Sequence, residues 1–292
     1  MKKLRKLKNS DEGVVGIIIA FLLTGLIVVV ISIIQTVYVP KWMEQTEAEH
    51  MEMVADQFSQ LKFAIDTQSA IKQKDTPIST SITLGNKDMP FLTSNKAYGS
   101  LEILSDECTI TITEITEDNL TLNHSYPVNI IKYTCQNNYF LEQSYIFEAG
   151  AVIINQIDGN VMAIKPTFVV KNEKDINFII INISTIGNKS SIGGYGTYPI
   201  QTEYSSSNPS PIPLDIIDNV RNITISTNYP ISWRNFISKT LADSDLYNDF
   251  VINNHTNEVE VSFPTDYPNV NIQLVNISAQ IAPGWIENIK GD

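Results

Sequence analysis

The side chains best suited to metal ligation and nucleophilic chemistry are scarce: three histidines and two cysteines in 292 residues. His50, His124 and His255 form no H-E-x-x-H pair, and Cys108 and Cys135 form no C-x-x-C ligand set, so a four-ligand zinc site has no basis in the spacing. Neither a G-x-S-x-G elbow nor a phosphate-cradling glycine loop occurs. The acid pairs Asp106-Glu107, Glu117-Asp118 and Asp243/Asp245 are calcium-compatible with neighbouring carbonyls, yet none has the spaced oxygens of an EF-hand loop. Each histidine reads as a solvated surface side chain and each acid pair as charge on a turn. The reading is therefore of a chain that is not an enzyme, with no catalytic residue, no metal and no cofactor.

Modification is the other chemistry on offer. N-x-S/T sequons occur at Asn119, Asn123, Asn182, Asn188, Asn222, Asn254 and Asn276, slightly more than composition alone would produce. Those at Asn182, Asn222 and Asn276 fall inside expected strands, so they would have to face solvent to be used.

Charge narrows the partners. Lys plus Arg number 20 against 32 Asp plus Glu, for a net charge of −12, which argues against gripping phosphate backbones, and nucleic acid is excluded as a main partner. The charge is uneven. Lys2, Lys3, Arg5, Lys6 and Lys8 outweigh Asp11 and Glu12, giving a small basic head before a large acidic body.

These residues must be positioned by the elements that follow. Residues 14–39 contain no charge and are dominated by Ile, Val and Leu. As a helix this run is roughly 39 Å long, more than the ~30 Å of a bilayer core, so it spans. It lacks the small-x-small cleavage site of a secretory signal peptide. Basic residues before it and acidic ones after it predict a cytoplasmic N-terminus and an extracellular C-terminal body.

Beyond Pro40, the apolar residues Met51, Val54, Phe58, Leu61 and Ile65 alternate spacings of three and four, which predicts an amphipathic helix with a narrow packing stripe. Glu44, Glu47, Glu49, Glu52, Asp56, Gln57, Lys62 and Asp66 occupy its other faces and suit water. The two segments together predict one helix of about 60 residues with Pro40 as its kink. The stripe fits either packing on the chain's own head or a short parallel coiled coil.

From residue 77 the pattern changes to short β-branched and aromatic runs between turn residues. Expected strands are 100–104, 109–115, 128–135, 140–147, 151–156, 162–170, 177–185, 198–203, 222–228, 250–253, 258–263 and 271–281. Antiparallel pairing closes such a series more easily than βαβ units. One helix interrupts them, from Trp233 to about Leu241, with Ser232 as N-cap. Glu148-Ala149-Gly150 and Asp158-Gly159-Asn160 predict hairpin turns, while 187–196 and 205–213 read as exposed loops. Cys108 and Cys135 fall on neighbouring expected strands on the oxidising side, which predicts a disulfide adding about 3 kcal/mol, with two buried thiols as the alternative.

The basic leader, the acidic-glycine junction Asp11-Glu12-Gly13, the uncharged run opening at Val14 and its continuation into an amphipathic helix resemble type IV pilin-like proteins, particularly those of archaea. The resemblance covers residues 1–74. It implies a class III signal peptide cut by a prepilin peptidase between Gly13 and Val14, and apolar helices that pack together as a filament core. The glutamate that bacterial-type pilins usually carry at the fifth mature position is Ile18 here, a departure that archaeal members often share. Residues 150–168 are similar to segments of archaeal surface proteins with the same kind of N-terminus.

The expected architecture is α+β: a leader (1–13), a transmembrane or assembly helix (14–39), an extracytoplasmic amphipathic helix (40–76), and a β-rich, antiparallel, sandwich-like extracellular head (77–292). The expected function is a pilin-like cell-surface structural or adhesive subunit, anchored by its N-terminal helix. Its implied partners are membrane lipid, prepilin peptidase and other pilin-like subunits. The alternative is a single-pass protein that does not polymerise and displays an adhesive or ligand-binding β domain.

Overall fold

Helix runs from Asp11 to Ile71 in a computed structural model that describes residues 11–86, 97–171, 175–187, 189–205, 215–244, 250–265 and 267–282, with the side chains of 11–13 and 254 outside that description. It comprises α1 (Asp11–Ile33), a π-helical turn (Ile34–Tyr38) and α2 (Val39–Ile71). The irregularity falls just before Pro40. Proline has no N–H to give Thr36 and its ring crowds that carbonyl, and the backbone answers with a wider turn in which the Val39 N–H bonds to Ile34 O. α2 ends where Lys72 turns left-handed at φ 54°, its N–H closing onto Gln68 O at 2.8 Å.

The rest of the described chain is strand-rich. In order it forms β1 (Ile78–Thr83), β2 (Tyr98–Ile115), β3 (Thr121–Gln136), β4 (Gln143–Glu148), β5 (Ala151–Gln156), β6 (Gly159–Ile164), β7 (Phe168–Lys171), β8 (Asp175–Thr185), β9 (Ser191–Gly194) and β10 (Thr197–Tyr204). There follow β11 (Asp215–Ile217), β12 (Val220–Ser226), α3 (Pro230–Ala242), β13 (Val251–His255), β14 (Glu258–Ser262) and β15 (Asn269–Ile281). One sheet has the order β1-β10-β15-β8-β7 with β11 also on β15; the other has β13-β14-β12-β2-β3-β4-β5-β6 with β9 also on β2. The fold is α+β.

Long strands serve two cores. On β3, Tyr126, Val128 and Ile130 enter one core, and Ile131, Tyr133 and Cys135 enter the other, on the opposite face. β8 divides the same way, with Ile176, Phe178 and Ile180 in the first and Ile181 and Ile183 in the second. Period-two alternation puts successive side chains on opposite faces, so a strand covered on one face along half its length and on the other along the rest reads as near-continuously apolar. α3 caps the first core through Trp233, Phe236, Ile237 and Leu241, and the α2 stripe fills the second.

Several expectations are corrected. The segments 100–104 and 109–115 are one strand, β2, interrupted by a bulge between Leu104 and Cys108 with Asp106 at φ 56°. Residues 162–170 are split between β6 and β7, which lie in different sheets. β8 and β15 pair in parallel, an exception to the antiparallel rule, and the excursion through β9–β14 supplies the crossover that a parallel pair requires. α3 starts earlier than expected, at Pro230, whose φ is preset for a first turn. Ser232 is inside that turn and donates to Tyr229 O at 2.9 Å rather than capping. The loop expected at 205–213 lies outside the described residues beyond Ser205.

The expected Cys108–Cys135 disulfide is absent: both cysteines are free and buried. Register explains it. Cys108 faces Val128 and Cys135 faces Gly99, so the two thiols are separated by the stretch of β3 from residue 128 to 135, about 24 Å at ~3.4 Å per residue, far beyond disulfide reach. They also lie in different cores.

Candidate functional site

Among the described residues, no element covers α1. Every described side chain from Val14 to Ile33 is exposed, in a sequence apolar enough to cross a membrane by length and composition. It is a candidate membrane anchor. Gly13 and Val14 lie in its opening turns, and Val14 is 60% exposed. At the other end of the apolar run, the exposed Tyr38 and Trp42 rings lie 6.0 Å apart, beside Lys41. Amphipathic aromatics on either side of a cation suit the boundary between hydrocarbon and water.

Past Trp42 the same helix becomes a seat on the head. Met51, Val54, Phe58, Leu61 and Ile65 are all buried in the second core, and Val39, Met43, Ala64 and Gln68 extend the buried face in both directions. Phe58 stacks 5.6 Å from Tyr145 and 6.4 Å from Tyr133. Polar bonds fix the register. Gln57 exchanges two with Thr83, its Oε1 accepting the backbone N–H at 2.8 Å and its Nε2 donating to Oγ1 at 3.0 Å. Gln68 Nε2 donates to Thr202 O at 2.6 Å, and Tyr145 OH donates to Met51 O at 2.9 Å.

Three residues expected on the wet faces are buried. Glu47 is 0% exposed, and its carboxylate accepts the backbone N–H groups of Asn138 at 3.0 Å and of Tyr139 and Phe140 at 2.7 Å each. The buried charge is compensated by aligned donors, as burial demands. Lys62 is buried and pairs with Asp66 one turn on. His50, expected at the surface, is 3% exposed.

His50 Nε2 lies 3.1 Å from Thr83 O, so this nitrogen donates and Nδ1 faces Cys135 Sγ at 4.0 Å. A Cys/His pair near a carboxylate has the composition of a nucleophilic site. The electrostatics run the other way. Cys135 is 1% exposed, its thiol donates to Asn137 Oδ1 at 3.2 Å, and burial pushes it up to about 11, away from thiolate. Burial also lowers the His50 pKa, opposed by the bond to Thr83 and the charge of Glu47.

A second polar cluster lies under α3, at a position read in sequence only as a turn. Glu148 accepts from Trp233 Nε1 at 2.6 Å and from Thr227 Oγ1 at 2.8 Å, while its buried Oε2 has no hydrogen-bond partner. Burial raises its pKa to about 7 against those donors, and the neighbouring Cys108 thiol is pushed up by burial and by this carboxylate. The cluster is held by a tight turn with Ala149 at φ 50° and Gly150 at φ 91°, the second natural only to glycine.

The remaining sites are scattered. His124 pairs with Glu114 at 3.0 Å and His255 is exposed. Among the described residues no three His, Cys, Asp or Glu converge as a metal site, and Asp245 lies outside them. Of the sequons, Asn119 and Asn123 are exposed, Asn222 Nδ2 donates to Glu260, and Asn182 Nδ2 donates to Asn276 Oδ1 at 3.2 Å across the parallel pair. Asn188 and the Asn254 side chain lie outside the described residues.

No protein-family model matches the chain, and comparison with curated proteins and with solved structures likewise finds no match.

Proposed function

We propose that this chain is a pilin-like surface subunit with a structural or adhesive role and no catalytic one. α1 anchors it in the membrane and α2 carries a β-rich head on the extracellular side. The observation that carries the reading is the division of one helix into two halves: an apolar half with all its described side chains exposed, and a half whose stripe is locked into the head. Exposed Ile, Val and Leu at this density need lipid or other copies of the same helix around them. The basic residues before α1 support a cytoplasmic N-terminus.

Expression in a host with its own prepilin peptidase, followed by intact mass and N-terminal peptide sequencing, tests it. Loss of residues 1–13, leaving Val14 first, is the expected result; a retained leader in that host removes the pilin reading. The second reading, a single-pass anchor that never assembles, is favoured by the Tyr38–Trp42 pair, which suits permanent residence at a membrane interface. A retained leader with the protein still in the membrane fraction selects it.

A further inference from the structure

Between α2 and the head lies a cavity of about 490 Å³, within the ~300–1,000 Å³ range of small-molecule sites. Its walls come from α2 (residues 46–53), the segment closing β1 (83–86) and the turn into β10 (195–197). We propose that this cavity binds a neutral hexose unit.

The wall is built by a close approach of backbone. A Cβ on Gly85 would lie 2.6 Å from Ala97 O and 2.9 Å from Tyr195 Cα, so only glycine lets the Tyr195 segment lie against the end of β1. Tyr195 is thereby placed on one side of the cavity, 49% exposed and braced edge-on by Tyr98 at 5.6 Å. Asn86 lies in the floor at 5% exposure. Its Oδ1 accepts the Ala97 N–H at 2.9 Å, which fixes the amide, and its Nδ2 has no partner. A buried donor left unpaired is costly, and an acceptor atom on a ligand removes that cost. On the α2 side stands the carboxylate of Glu49, whose Oε1 accepts from Gln45 Nε2 at 2.8 Å and whose Oε2 is left to accept from a ligand.

The ligand must therefore accept from an amide, donate to a carboxylate and offer an apolar face to Tyr195 and Met53. An anion satisfies Asn86 but is repelled by Glu49 and by the net charge of −12. An ammonium ion satisfies Glu49 but leaves the Asn86 donor orphaned. A neutral sugar has hydroxyls that both donate and accept, and a C–H face that packs on an aromatic ring. This inference stands on the cavity alone and is independent of whether the helix is processed or assembles.

The test is saturation-transfer NMR on the full-length protein in a detergent without a sugar headgroup. The probes are methyl glycosides of glucose, galactose, mannose and N-acetylglucosamine, with glucuronic acid as the charged control. The expected result is transfer to at least one neutral glycoside, none to glucuronate, and roughly tenfold weaker binding in both Tyr195→Ala and Glu49→Ala, the loss of one good contact. Both changes replace exposed side chains, and unchanged thermal unfolding checks that each variant is folded. Silence from all four neutral probes, or binding that persists in either folded variant, overturns the proposal.

Discussion

Glu47 Oε2 accepts the Phe140 backbone N–H at 2.7 Å, joining the first turns of α2 to the loop between β3 and β4. The same carboxylate takes the two preceding N–H groups. Glu47→Ala strips three backbone N–H groups of their shared charged acceptor and should cost about 3 kcal/mol, read as a lower Tm and as faster amide exchange at residues 138–140. Exchange unchanged at those amides would show that the loop is held by something else.

Glu148 makes the α3 side of the head less stable at neutral pH than at mildly acidic pH. Its pKa of about 7 in the fold against 4.5 unfolded means the folded state binds the extra proton between those values. Stability from this group is therefore full at low pH and falls as pH rises through that window, by up to about 3 kcal/mol, then levels. Glu148→Gln, which keeps an acceptor for Trp233, should be more stable than the parent at pH 8 and similar at pH 5. Calorimetry at both pH values decides; equal Tm differences at the two would remove Glu148 as the source.

His50 works in the opposite direction. Its folded pKa lies below the unfolded value of 6.5, chiefly through burial, so the unfolded chain takes up the proton first as pH falls. Its contribution is present above that value and is lost below it. Among the described residues, Glu47, Cys135 and Tyr133 are titratable groups that face it. His50→Gln should shrink the drop in Tm between pH 7.5 and 5.5, and an undiminished drop would assign it to other groups.

Both cysteines should be silent in the native protein. Thiol labelling is expected to modify neither in the folded state and both in denaturant, and reductant should leave Tm unchanged. A fall in Tm on reduction would contradict the register that separates them.

The elements with one local cause were legible in sequence. The stripe from Met51 to Ile65 needs only helical spacing, and β5 was expected at the bounds it has, because Asp158-Gly159 and Ala149-Gly150 punctuate it. What could not be read depends on distant partners. Glu47 and His50 occupy the packed face of α2 at stripe spacing, but a polar residue there reads as solvated until the loop amides and the Thr83 carbonyl that satisfy it are known. The parallel pair hides for the same reason. Asn182-Ile183-Ser184 and Asn276-Ile277-Ser278 are the same three residues and stand in register, yet only pairing turns that repetition into a ladder. Glu148 carried no signal beyond its place before a turn.

The π-helical turn sets an azimuth. Each residue of a regular helix advances about 100° around the axis, so the wider turn at Ile34–Tyr38 resets the direction in which the head projects relative to every side chain of α1. Wound as regular α-helix, the same five residues would each advance further around the axis, and the head would swing through roughly a quarter of a revolution relative to α1. Whatever surrounds α1, lipid or neighbouring helices, the bearing of the head is thus encoded in a single turn of backbone just ahead of Pro40.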